Sequence, residues 1–201
     1  MIGNGDSYLR AGPSFQLGTQ LSQPPLGVGS LGIRTGSGND KAAFGNQVDF
    51  SGDPFTSAAI TTLGYSVFTT GENITAGGAG NLPNLQFEIN PNLAADTTDV
   101  FSTANFIPPG QSPGWSPIDA IGTGEWFLTG VTGTLTGCTQ ATTCTFAEMM
   151  TALNDGGDPA SILTVQFSKG RDNAFSGAVD ALKIDADTFD FEPFGVTVTT
   201  P

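Results

Sequence analysis

The side chains able to do chemistry in this sequence are one-sided in kind. Nineteen Asp and Glu stand against six Lys and Arg, a formal charge of −13, and there is no His. Without His, neither a Ser-His-Asp nor a Cys-His mechanism can run, and no His-ligated zinc or haem site can form. Carboxylates remain. A glycosidase needs two of them about 5 to 10 Å apart across a cleft. Glu88, Glu125, Glu148 and Glu192 form no motif that would arrange such a pair, and most acids stand beside Gly, Asn or Pro in turns. The expectation is a protein that is not an enzyme, with a hydrolase as the distant alternative. Phosphate contacts need clustered Lys and Arg, so a pI near 4.1 argues against nucleic acid as a partner.

Three other chemistries are open to these residues. Oxygen-rich turns suit hard cations, so Ca2+ is the candidate cofactor. Its candidate ligands are Asn39 and Asp40 in GSGND, Asp180 in VDALKI, and the pair Asp185 and Asp187. Their spacing is not that of an EF-hand, and solvated turn acids are the plainer alternative. Exposed aromatic rings could cover the apolar face of a pyranose; Trp115, Trp126 and Tyr65 are the candidates. Trp126 alternates with Leu128, which favours the core for it, while Trp115 sits in a Pro/Gly stretch. Cys138 and Cys144 are six positions apart. A disulfide there is the favoured reading, worth about 2 kcal/mol on the chain-entropy model, with two free thiols as the alternative. No other Cys or His exists to complete a metal site.

The elements that must hold these residues are short and mostly of period two. In Leu85-Gln86-Phe87-Glu88-Ile89-Asn90 the apolar residues point one way and the polar ones the other. Similar runs are 30–35, 63–69, 100–107, 125–136, 161–168, 178–184, 188–191 and 196–200, separated by Gly, Pro, Asn and Asp. Many short strands with turn punctuation predict an antiparallel sandwich or barrel. One helix is predicted near 145–154, where Thr145-Phe146-Ala147-Glu148 forms a capping box. Residues 70–83 read as a flexible loop, and 108–117 as a stiffer one. No apolar run reaches 18 residues, so no membrane span is expected.

The ordered motifs resemble a family of bacterial extracellular modules that end in a Tyr/Phe-Asp-Phe-Glu-Pro signature. The matching pieces are PPLGVGSLGIRTGSGNDKAAF (24–44), ITTLGYSVFTT (60–70), LQFEIN (85–90), WSPIDA (115–120), GEWF (124–127), DPASIL (158–163), GAVDALKI (177–184) and DTFDFEP (187–193), with the Cys pair and the helix between them. They run in family order from about residue 6 to residue 194. The resemblance implies an all-β fold: a two-sheet antiparallel jelly-roll-like β-sandwich akin to carbohydrate-binding modules and concanavalin-type lectins. It implies no catalytic activity, and a calcium site with an Asp near the last core strand, the place of Asp180. Family members carry a further Trp-containing segment before the strand matching Ser7 to Ala11; here only MIGNGD precedes it.

One domain is therefore expected over 1–194, with 195–201 (GVTVTTP) as a spare strand or linker. Residues 1–8 have neither a basic nor an apolar leader region. With low Lys and abundant Thr and Gly, the expectation is an extracellular or cell-surface protein whose signal peptide has been removed. Val196 and Val198 are the candidate assembly strand. The leading functional expectation is self-assembly with copies of itself or neighbouring modules, by strand addition. Polysaccharide binding is the alternative.

Overall fold

The computed structural model describes residues 4–200. Residues 1–3 and Pro201 of GVTVTTP lie outside the described residues. The elements run β1 (Asp6–Ala11), β2 (Phe15–Leu17), β3 (Gln20–Ser22), β4 (Gly29–Thr35), β5 (Ala42–Asn46), β6 (Leu63–Thr69), α1 (Gly71–Gly77), β7 (Asn84–Asn90), β8 (Ser102–Ile107), β9 (Gly114–Asp119), β10 (Glu125–Leu128), α2 (Gly130–Thr136), α3 (Phe146–Leu153), β11 (Ser161–Lys169), β12 (Phe175–Ile184), β13 (Asp187–Glu192) and β14 (Gly195–Thr199).

The strands form an antiparallel β-sandwich. One sheet has seven strands, in the order β1-β4-β12-β13-β14, with β6 on β12 and β9 on β6; the other has five, in the order β10-β8-β7-β11-β5. A small β2-β3 hairpin makes a third sheet. The period-two pattern sets which faces meet. In β7 Leu85, Phe87 and Ile89 are fully buried, while the residues between them are half-buried. Each such large apolar side chain contributes about 1.5 to 3 kcal/mol relative to exposure. Aromatic contacts cross the core: Tyr65 meets Phe167 with ring centroids 5.0 Å apart, and Trp126 meets Phe106 at 5.2 Å and Phe146 at 5.5 Å.

The helix over 146–153 stands as the sequence predicts. Thr145 caps it, Glu148 reaches back to complete the capping box, and Phe146, Met149, Met150 and Leu153 face inward. Two further helices correct the reading of a fold with one. Residues 130–136, expected as part of a strand, form α2. Gly130 turns the chain with φ +67°, and Gly133 lies so close to the Leu128 carbonyl that a Cβ would sit 2.1 Å from it. Residues 71–77, expected as flexible loop, form α1. Its Asn73 is buried; the amide donates to Thr69 Oγ1 and to the Ser176 carbonyl, while Ser176 N–H donates to Asn73 Oδ1. Part of 108–117 is β9 rather than loop.

The long strand β12 positions the candidate site. On one side it pairs with β6 from Ala178 to Ile184, interrupted by a bulge; on the other its first half pairs with β4 and its end with β13. The changeover falls at a bulge, where Ala181 takes φ +53°. Beyond it the β12-β13 hairpin carries β14 out to the end of the sheet.

Candidate functional site

Val196 and Val198 stand on β14, which pairs with β13 through Phe191↔Val196 and Phe189↔Val198. They are 38% and 48% exposed, and Phe194 in the preceding turn is fully exposed. Thr200 Oγ1 donates to Asp187 Oδ1 and staples the end of β14 to the start of β13. Beneath the valines lies a slot of about 330 Å³ between the two sheets. It opens between β14 and β5, the last strands of their respective sheets. Its floor is aromatic, with Phe44 against Phe191 at 6.1 Å and Phe50 against Phe189 at 5.6 Å. The sandwich is thus unclosed along one side, and apolar surface leads from solvent toward its core.

Other edges of the two large sheets are protected by different devices, β5 only at its start. β10 is covered by the loop closed by the Cys138–Cys144 disulfide: Trp126 N–H donates to the Cys144 carbonyl at 2.7 Å, and Leu128 N–H to the Cys138 carbonyl at 2.8 Å. β9 contains Pro117 and is flanked by the β2-β3 segment, whose Ser22 Oγ accepts from Trp115 N–H at 2.8 Å. β1 carries Asp6 and Arg10. β5 is met at its start by β1, where Ser7 Oγ donates to the Ala43 carbonyl. Along its outer edge β14 has neither charge, Pro nor cover.

Three carboxylates lie behind this edge. Asp180 is fully buried at the bulge, where it accepts from one amide of β13 and one of the loop before β4. Its Oδ1 accepts from Phe191 N–H at 3.1 Å and its Oδ2 from Leu26 N–H at 3.2 Å. Burial pushes its pKa up to about 6; the N–H groups of Phe191, Ala181 and Leu26 oppose that rise, and the charge on Asp190 adds to it. Asp190 is also raised, by burial and then by the charge on Glu192. Glu192 Oε1 accepts from Val28 N–H at 2.8 Å. Gly27 makes this close approach possible: it has φ +49°, and a Cβ there would lie 1.5 Å from Glu192 Oε1. The carboxylates therefore hold the 26–28 segment against β13.

The remaining predicted residues are scattered. Trp126 and Tyr65 are core residues, 1% and 3% exposed; Trp126 Nε1 donates to the Ala120 carbonyl and Tyr65 OH to the Pro83 carbonyl. Neither ring presents a face to a ligand. Trp115 is half-buried on β9, packs on Phe68 at 5.6 Å and donates Nε1 to the Pro13 carbonyl. Of the proposed cation ligands, Asp40 accepts from Gly36 N–H, Asp185 from the Thr61 and Thr62 amides and the Thr61 hydroxyl, and Asp187 from Thr200. Asn39 stands in the same turn as Asp40, its N–H bonded to Ser37 Oγ. These residues and Asp180 thus lie in separate places, and no group of three His, Cys, Asp or Glu converges among the described residues. No helix among them is long and apolar enough to cross a membrane.

The slot itself was not read from the sequence. Its signal was Val48, an isolated valine between Gln47 and Asp49 that is 90% exposed at the rim. No family model, curated protein or solved structure matches the chain.

Proposed function

We propose that this chain is a non-enzymatic extracellular module that works by associating with copies of itself along the open side of the sandwich. The carrying observation is β14, an exposed and uncharged edge strand beside an apolar slot. Such a strand offers a row of main-chain donors and acceptors, and the slot offers room for alternate side chains. The disulfide favours an oxidising compartment. The jelly-roll kinship and the bacterial surface-module family belong to the same proposal. So does Ca2+, which would bridge carboxylates of neighbouring copies and offset the repulsion between chains of charge −13. A neighbouring module offering a similar strand is the variant partner. Polysaccharide binding has less support, because Trp126 and Tyr65 are buried and Trp115 is packed on Phe68.

The test compares the full chain with one lacking residues 195–201, by sedimentation velocity with calcium and with a chelator. The full chain should associate and the shortened one should stay monomeric. Equal association by both chains would remove β14 from the account.

A further inference from the structure

Resting on that reading, the geometry points to a particular partner and symmetry: a second copy whose β14 pairs antiparallel with β14 about a two-fold axis through Thr197, closing the slots of both copies in a dimer. The residue pattern of β14 is nearly self-complementary about Thr197. Antiparallel pairing centred there sets Val196 opposite Val198 of the partner subunit and Thr197 opposite its own copy. Val196 and Val198 line the slot, and Thr197, of opposite parity, points to the other face of the sheet. The paired valines would therefore lie together over the two slot mouths, with the threonines outside. Valine pairs on one face of an antiparallel ladder are favourable cross-strand neighbours.

Charge is consistent with the same partner strand. Between two chains each of charge −13, the least costly contact is one that brings no carboxylates face to face. From Pro193 to Thr200 there is no charged residue. Pairing β14 with β1 of another copy would set it beside Asp6 and Arg10, and pairing it with β9 would meet Pro117, which has no N–H to donate. An isologous contact of this kind closes on itself. It makes a dimer, where addition of β14 to a different edge would make an open fibre.

Two single substitutions, one double substitution and a mass measurement test this. Both native cysteines are joined to each other, so an introduced Cys is the sole free thiol. Thr197→Cys should give a disulfide-linked dimer under mild oxidation, because the two Thr197 Cα atoms would lie about 4.5 to 5.5 Å apart. Thr199→Cys should not, since Thr199 would lie opposite Gly195. The unmodified chain should sediment at twice its 20.6 kDa and no higher. Val196→Lys with Val198→Lys should return it to a monomer while the fluorescence of its two Trp residues stays unchanged. A monomer at every concentration overturns both this geometry and self-association itself. Association without crosslinking at Thr197→Cys, or with equal crosslinking at Thr199→Cys, overturns the two-fold pairing and leaves self-association standing.

Discussion

Asp180 is the residue on which stability and pH meet. In the folded chain its pKa lies near 6, against an ordinary 3.8, chiefly because it is buried. Between pH 4 and 6 the folded chain therefore keeps a proton that the unfolded chain has released. Its contribution to stability is fully present below pH 4 and is lost as pH rises through 6. Asp190, also raised, acts in the same direction. Glu148 and Asp155, lowered by the N–H and O–H groups they accept, act in the opposite one. Asp180→Asn isolates the buried group. Its urea midpoint should fall less between pH 4 and pH 7 than that of the unmodified chain. Equal falls would show that Asp180 does not titrate in this window. Asp180 was legible as a special residue because it interrupts the apolar pattern of VDALKI. What it accepts was not legible, since Leu26 and Phe191 reach it only through the tertiary fold.

Among the elements, the disulfide loop makes the clearest energetic prediction. Replacing both Cys138 and Cys144 by Ser should cost about 2 kcal/mol in equilibrium unfolding. It should also loosen the cover on β10, seen as faster amide exchange at Trp126 and Leu128, whose N–H groups bond to that loop. A loss of stability with unchanged exchange there would separate the crosslink from the cover. The strand interiors β4, β6, β7, β11 and β13 and the capped helix α3 were legible, because alternation and a capping box are local signals. What escaped was held by distant partners. α1 depends on Asn73 and Asn81 bonding to the strand start at 174–176. α2 depends on Thr132 donating to Asp99. Phe101, inside the predicted strand run 100–107, is 50% exposed and precedes β8 rather than lying in it.

For the whole molecule, charge sets the conditions of assembly. If neutral strands meet while the bodies behind them repel, salt should strengthen the contact. The screening length falls from about 10 Å at 0.1 M to about 3 Å at 1 M salt. The dimer dissociation constant, measured by sedimentation equilibrium, should drop several-fold over that range; a rise would mean that attraction between charges drives the contact. The sandwich as a class was legible from composition and period. Its open side was not, because that depends on which strands end each sheet. The sheet order has a further consequence, in time rather than in space. Thr35 pairs with Phe175 and Ala42 with Lys169, so β5, and β4 on the side away from β1, meet partners that come only from the last quarter of the chain. Closing loops of that length before any contact forms makes folding slow. A chain ending before Ser161 should show no cooperative unfolding transition. During synthesis, β5 and the inner side of β4 must wait until residues 161–184 have emerged, so the two sheets are joined late even though β1 can already meet β4.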